Sequence, residues 1–376
     1  VKTNKSTIKV CILTTVHPPF DTRIFHKQAK SLAEAGYDVT LIAQHDIDEV
    51  SEGVKIVALP KPKNRLQRMF GLTLRALRLA LKQRAVIYHF HDPELIPIGV
   101  LLRLFGKRVI YDVHEDYWTS IMQKRYLPRW IRPAIAQIIT VVEMIGSRFF
   151  TIILAERYYA ERFPSGVTIL NYPRHGEKGD LGCDLPYCFD APRVLYTGNV
   201  TEDRGALIHA RLVHLVPDLH VYLIGRCSLP LAESIREVAT PKGNFIHLKG
   251  VGSYVPHTQI RAYYTVGGWL AGLALFPPSK HYQRKELTKL FEYMAAGLPI
   301  ICSDFPVWKE IVERNECGLT VNPLDPQEIA GAIKYLLDRP ELCEEMGKNG
   351  RRAVEEKYNW EREKVKLLEL YSHLLN

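Results

Sequence analysis

The chain has 376 residues, 47% hydrophobic and 24% charged, with 50 Lys and Arg against 41 Asp and Glu. That balance belongs to a globular protein of about two domains, at roughly 150 residues each, and excludes a disordered tail, a collagen-like repeat and a disulfide miniprotein. The net charge of +9 points to a polyanionic partner: nucleic acid, an acidic membrane surface or a phosphate-bearing substrate.

Taken in order, Lys9–Thr15 predicts a buried strand ending in a Pro-rich loop. Residues 22–36 predict a helix with Phe25, Ala29, Leu32 and Ala33 on one face and Gly36 as its stop. Strands are expected at Asp38–Ala43 and Val54–Leu59, a helix at Leu66–Gln83, and strands at Ala85–His91, Arg108–Val113 and Thr151–Leu154. Residues 171–191, rich in Gly, Pro and charge, read as an interdomain linker. The pattern restarts with strands at Arg193–Thr197, Leu219–Ile224, Phe245–Leu248, Leu270–Phe276, Pro299–Cys302 and Leu319–Val321. Helices fall at about 325–338 and 341–357, and a last amphipathic helix starts near Trp360 with Val365, Leu368, Tyr371 and Leu375 along one face. Alternating strands and helices imply parallel sheets covered on both faces. The expected fold class is α/β, two similar halves with a cleft between them, and ligands bind beyond the carboxyl ends of such strands.

The seven cysteines, Cys11, Cys183, Cys188, Cys227, Cys302, Cys317 and Cys343, are scattered and form no C-x-x-C pair. That favours a reducing compartment over a disulfide framework or a zinc site. The segment VKTNKSTIKVCILTT lacks an apolar core with a small-residue cleavage site, so no signal peptide is expected. The apolar stretch Ile131–Phe150 is interrupted by Gln137, Glu143, Ser147 and Arg148 and does not read as a membrane span. A cytoplasmic location is expected.

The chemistry-bearing residues sit at strand ends. The loop Val16–Arg23 lacks the glycines of a dinucleotide fingerprint; Asp21 is placed to cap the following helix, and Arg23 follows it. His89 and His91 lie on one face of a strand, with Asp92 and Glu94 beyond. An H-x-H pair can ligate a metal, but no second matching cluster stands out, so no metal is expected and His91 and Asp92 are read as lining the cleft. The next strand ends in YDVHE, where His114 can both donate and accept near neutral pH, with Asp112 and Glu115 to orient it. In the second half, LYTGNVTEDRG places Arg204 at a glycine turn before a helix, Gly225-Arg226 closes the next strand, and Gly250-Val251-Gly252 a later one. Three such turns suggest a backbone-lined pocket for a phosphate. Lys289 and Glu292 share a face of the helix after PPSKHYQRKELT. An isolated K-x-x-E is ordinarily a surface ion pair; here Lys289 can meet a diphosphate and Glu292 a ribose diol.

KLFEYMAAGLPIICSD resembles the nucleotide-binding signature of the family 4 GT-B glycosyltransferases, the retaining "glycosyl transferases group 1". HFHDPEL, YDVHE, LYTGNVTEDRG, LIGRC and the closing YNWEREKVKLLELY agree with it, so the resemblance covers essentially the whole chain. It implies two facing Rossmann-like domains: an acceptor-binding domain over 1–185, joined by the final helix 360–376, and a nucleotide-sugar-binding domain over 186–359. By position, His114 matches the active-site histidine beside the transferred sugar, Arg204 the basic residue that holds diphosphate, and Glu292 the second glutamate of E-x7-E, which binds ribose. The donor-side residues expected are Asn199, Arg204, Gly225, Arg226, Val251, Leu287, Thr288, Lys289 and Glu292. Those on the acceptor or sugar side are Asp21, Arg23, His91, Asp92 and Glu115. Three positions depart from the pattern: Arg284 stands where the first glutamate falls, Asn199 replaces a basic residue, and HPPFDTR replaces a glycine-rich loop. Lys289, Arg284 or Arg23 is the substitute expected to compensate.

The resemblance implies transfer of a hexose from a UDP-sugar with retention, in polysaccharide or glycolipid synthesis, with no cofactor or metal required. The acceptor is a saccharide or is lipid-linked. Two alternatives stand beside it, a sugar-nucleotide epimerase of the same fold and a non-catalytic nucleotide-sugar-binding subunit. Nothing resembles a nucleic-acid recognition module. Residues 61–84 carry Lys61, Lys63, Arg65, Arg68, Arg75, Arg78, Lys82 and Arg84 and no acid, with an apolar face expected from Leu66, Met69, Phe70, Leu74, Leu77 and Leu81. Residues 118–133 add Trp118, Lys124, Arg125, Tyr126, Arg129, Trp130 and Arg132. A core helix with a solvated basic face is the ordinary reading; basic residues interleaved with aromatics also suit the anionic inner face of the cytoplasmic membrane.

Overall fold

The computed structural model describes residues 8–64, 66–124, 127–174 and 191–376. Two compact units partition the chain: Val1–Asn171 with Trp360–Asn376, and Tyr172–Asn359. The expected boundary at 185/186, Cys183, Cys188, Arg65, Arg125 and Tyr126 lie outside the described residues.

The N-terminal unit is built on β1 (Lys9–Leu13), β2 (Asp38–Gln44), β3 (Glu49–Ser51), β4 (Val54–Leu59), β5 (Ile87–Phe90), β6 (Arg108–Val113), β7 (Thr151–Leu154) and β8 (Val167–Thr168). Their order is β3-β4-β2-β1-β5-β6-β7-β8, parallel except for the β3–β4 pair. Both faces of β1 are buried: Val10 and Ile12 belong to one core and Cys11 and Leu13 to the other. That is why the strand reads as an unbroken apolar run, as strands of covered parallel sheets do. Short β3 and β8 escape the sequence pattern because each is only two or three residues long.

Two helices differ from expectation. The first begins as a wide π-type turn over Ile24–Ala29 before α-helix Lys30–Glu34. The second has a wide turn over Gln67–Leu72 before Thr73–Gln83. Its expected apolar face is largely turned outward. Leu72, Thr73, Ala76 and Ala80 are buried, whereas Leu66, Met69, Phe70, Leu74 and Leu81 are exposed and only Leu77 packs partly on the core. The extra residue in a π turn advances the helix phase, and the small Ala76 and Ala80 let the helix approach the sheet closely.

The closing helix Trp360–Leu375 packs on the core formed by Val10, Ile12, Ile24 and Phe25 through Trp360, Leu367, Leu370 and Tyr371. Val365, expected on the apolar face, is exposed. Trp360 Nε1 donates to Ser31 Oγ at 2.9 Å, and Glu363 Oε2 accepts from the Leu170 N–H at 2.8 Å.

The C-terminal unit carries β9 (Arg193–Thr197), β10 (His220–Cys227), β11 (Ile246–Val251), β12 (Ala271–Ala274), β13 (Ile300–Ser303) and β14 (Gly318–Val321), in the order β11-β10-β9-β12-β13-β14 and all parallel. The helix Thr288–Ala296 buries Leu290, Phe291, Tyr293 and Met294 and ends at Gly297, whose φ of +69° suits a left-handed cap. Cys11, Cys227, Cys302, Cys317 and Cys343 are buried free thiols. Among the described residues, no helix is long and apolar enough to cross a membrane.

Candidate active site

Each sheet reverses its winding once. In the N-terminal unit β2 and β5 flank β1; in the C-terminal unit β10 and β12 flank β9. Chains leaving such neighbouring strands diverge to opposite faces and open a crevice at the strands' carboxyl ends. The strand-end residues of each unit therefore gather at its own switch point.

In the N-terminal unit, the β5–β6 register pairs His89 with Ile110 and Phe90 with Tyr111. Side chains two apart share a face, so His89 and His91 meet Asp112 and His114. Asp112 is fully buried, and Arg23 grips it fork to fork, Nε to Oδ2 and Nη2 to Oδ1, each at 3.0 Å. Gln28 Nε2 donates to the same carboxylate at 2.5 Å. His114 Nε2 lies 3.3 Å from Asp112 Oδ2 and 2.9 Å from His91 Nδ1. Burial opposes ionisation of Asp112, but the charges of Arg23 and then His114 outweigh it and hold the carboxyl well below its usual range. An ionised carboxylate only accepts, and it favours a proton on the ring nitrogen that faces it, Nε2 of His114. Glu115 is exposed and accepts from Ser120 Oγ at 2.9 Å; Asp112 is the group against the imidazole.

Asp92 ties β1 to β5. Its Oδ2 accepts from Thr14 Oγ1 at 2.9 Å, from the Thr15 N–H at 2.7 Å and from Thr15 Oγ1 at 3.3 Å. Asp21 Oδ1 accepts from the N–H groups of Arg23 and Ile24 at 2.8 and 2.9 Å, which caps the first helix. Sequence reasoning passed over His17, whose H-x3-D spacing to Asp21 was the available signal. Its Nδ1 is 3.5 Å from Asp21 Oδ2, its Nε2 is 3.7 Å from Asp92 Oδ1, and its ring centroid is 5.4 Å from that of His114. Burial works against a charged His17, but the Asp21 hydrogen bond and the charges of Asp92, Asp21 and Glu115 outweigh it and push it up to about 9. An imidazolium therefore stands beside His114 at neutral pH.

Ligand atoms of His89, His91 and Asp112 lie within 4.8 Å of one another, a spacing that suits a metal ion. Arg23 already holds both oxygens of Asp112, so its guanidinium would stand beside any cation seated there. Burial drives His89 down to about 4, and His91 well below its usual value, so both rings are neutral. His89 Nδ1 lies 2.9 Å from Tyr371 Oη of the closing helix. His89 Nε2 and His91 Nε2 are buried without a hydrogen-bond partner, and it is the Arg23 charge on Asp112 that opposes a cation beside them.

In the C-terminal unit the glycine turns pack backbone on backbone. A Cβ on Gly225 would strike the Gly198 carbonyl, and one on Gly250 would meet the Gly225 carbonyl at 2.5 Å. Gly198, with φ +95°, also leaves room for Lys289: a Cβ there would come 3.0 Å from Lys289 Nζ. Lys289 is buried, donates to the Thr197 carbonyl and lies 4.4 Å over the Tyr196 ring. Burial first, then the charge of Arg204, lowers its ammonium to about 7 against the pull of Glu292. Arg204 Nε donates to Tyr282 Oη at 3.3 Å, and Tyr282 Oη donates to Asp203 Oδ2 at 2.7 Å. Asn199 is exposed, and its carbonyl accepts from Tyr196 Oη at 2.7 Å. Arg226 is exposed and Val251 half-buried; Leu287 and Thr288 open the helix that carries Lys289 and Glu292. Glu292 Oε2 accepts from Tyr264 Oη at 3.1 Å. Glu286, two residues past Arg284, accepts from Tyr172 Oη at 2.7 Å.

Two doubly wound parallel sheets, each with its own switch point, make the fold of the GT-B glycosyltransferases. Residues 210–353 match the family profile of glycosyl transferases group 1, and residues 22–149 match the glycosyl transferase 4-like domain. The chain belongs to this family. It is 26% identical over 260 residues to spore coat protein SA of Bacillus subtilis, across 63% of this chain and 65% of that protein's length. Sucrose-phosphate synthase from Thermosynechococcus elongatus shares the fold at a TM-score of 0.74 with 22% identity, covering 98% of this chain and 99% of that one. So does Anabaena HepE in complex with UDP-glucose, at 0.71 with 11% identity over 97% of this chain and 100% of that one.

Proposed function

We propose that the protein moves a hexose from a UDP-sugar, such as UDP-glucose, to a saccharide or lipid-linked acceptor, with retention at the anomeric carbon. The observation that carries this reading is Lys289 at Gly198. It brings a cation to the β9 turn from the following helix, where the family pattern's own basic residue is replaced by Asn199. Arg204 follows in the short helical turn Glu202–Arg204. HepE, of the same fold, binds UDP-glucose, which favours uridine over other bases.

In the step proposed, the acceptor hydroxyl oxygen bonds to the anomeric carbon from the leaving-group face. The bond from that carbon to the β-phosphate oxygen breaks, and its electron pair leaves with UDP. The acceptor's proton passes to a phosphate oxygen. Lys289 and Arg204 take up the charge that develops on the diphosphate. His114, held against Asp112 through Nε2, contacts a sugar hydroxyl through Nδ1. A panel of UDP- and GDP-sugars read by thermal shift and hydrolysis tests the donor. A UDP-sugar should raise Tm by mass action; no shift from any nucleotide sugar would overturn the reading.

The outward face of Gln67–Gln83 supports a peripheral membrane contact. Leu66, Phe70 and Leu74 are exposed beside exposed Arg75, Arg78 and Lys82. The helix Arg132–Ser147 presents Ile138, Val142 and Ile145 outward, continuing into Phe149, with Trp130 81% exposed at its start. Apolar side chains ringed by basic ones suit an anionic lipid surface.

A further inference from the structure

Thr197, the last residue of β9, is buried, and every polar group it has is engaged. Its N–H donates to Tyr293 Oη at 3.2 Å, and its carbonyl accepts from Lys289. Its Oγ1 lies 2.8 Å from Tyr264 Oη, which donates to Glu292 Oε2 at 3.1 Å. Tyr264 comes from the helix His257–Thr265, outside every motif noted in the sequence, and is itself buried.

The proton directions in this chain are determined. Tyr264 has one hydroxyl proton, and burial and then the Glu292 charge hold its phenol well above the usual value, so it stays a donor. A carboxylate only accepts, so that proton goes to Glu292. The Thr197 hydroxyl must then donate to Tyr264. The relay runs Thr197 to Tyr264 to Glu292, while the carbonyl of the same threonine anchors Lys289.

We propose that Tyr264 and Thr197 are positioning residues for nucleotide recognition: they hold the Glu292 carboxylate in the orientation that accepts the ribose hydroxyls of the donor. The proposal rests on the reading of Glu292 as the ribose acceptor. Through Thr197, the ribose-binding and diphosphate-binding side chains share one strand end, so the site is preset before the nucleotide arrives. Loss of such a hydrogen bond to a charged group should weaken affinity about tenfold.

The test is calorimetric titration of the whole chain with UDP, 2′,3′-dideoxy-UDP and inorganic pyrophosphate, using wild type, Y264F, T197V and T197S, each checked for native circular dichroism. Wild type should prefer UDP over the dideoxy compound. Y264F and T197V should weaken UDP about tenfold, leave pyrophosphate and dideoxy-UDP within about twofold, and so erase the preference; T197S, which keeps the hydroxyl, should retain it. Equal weakening of all three ligands, or an unchanged preference in Y264F, would overturn the proposal and leave the donor reading standing. A wild type blind to the ribose diol would overturn the ribose role of Glu292 and the proposal together.

Discussion

Arg23 and Asp112 form a buried fork-to-fork pair, with both guanidinium–carboxylate contacts at 3.0 Å, and the same carboxylate stands 3.3 Å from His114 Nε2. The pair keeps Asp112 ionised, and the ionised carboxylate favours a proton on the His114 nitrogen that faces it. Removing Arg23 alone takes from the buried carboxylate its strongest counter-charge. R23M should therefore cost about 3–5 kcal/mol. R23M/D112L, which removes both charges, should cost less than the sum of the two single variants. Urea unfolding monitored by fluorescence measures this; additive losses would count against a coupled pair.

His17 gives the N-terminal unit a pH dependence of definite sign. Its folded value, about 9, is above its ordinary 6.5. Its contribution to stability is therefore fully present below about 6.5 and is lost as pH rises through about 9. H17Q should flatten the stability profile in that window and leave it unchanged in slope below it. Denaturation midpoints from pH 6 to 10 would show this, and equal slopes for the two proteins would refute it.

Lys289 makes donor binding proton-linked. At about 7, most of the free ammonium is discharged at pH 8, and a diphosphate beside it restores the charge. Binding of UDP-glucose, whose own phosphates do not titrate there, should take up close to one proton at pH 8 and little at pH 6. Affinity should fall as pH rises above 7. K289R, which stays charged, should bind without uptake. Calorimetry in buffers of different ionisation enthalpy reads the proton count, and zero uptake at pH 8 in wild type would sink the idea.

The exposed basic face at Arg75, Arg78 and Lys82 predicts adsorption to anionic vesicles. Each such residue contributes about 1 kcal/mol near a charged surface, so R75E/R78E/K82E should reduce partitioning at least tenfold in vesicle co-sedimentation. Adsorption equal to wild type would move the contact elsewhere.

The sequence made the architecture readable because parallel strands covered on both faces are short apolar runs, as β1 and β9 are. It also placed His114, Arg204 and Lys289 at strand ends or on the helix beyond, since the switch-point rule needs only the order of elements. It did not reveal which face of Thr73–Gln83 points inward. Two stripes at helical spacing were available, and the wide turn at Gln67–Leu72 together with the small Ala76 and Ala80 selected the one with fewer large residues. Nor did it reveal Tyr264 or the approach of His17 to Asp92. Asp92 and Glu292 are brought close to these residues by the sheet and by helix packing, and spacing along the chain carries no trace of such contacts.

In the proposed reaction the C-terminal unit grips the donor's diphosphate through Lys289 and Arg204, while His114 acts in the reaction step. Titration of UDP-glucose into wild type, K289M, R204M and H114N tests it most directly. K289M and R204M should each weaken binding about tenfold or more, as expected for charged hydrogen bonds. H114N should bind within about twofold of wild type and transfer no sugar. Undiminished binding by K289M and R204M would contradict the account.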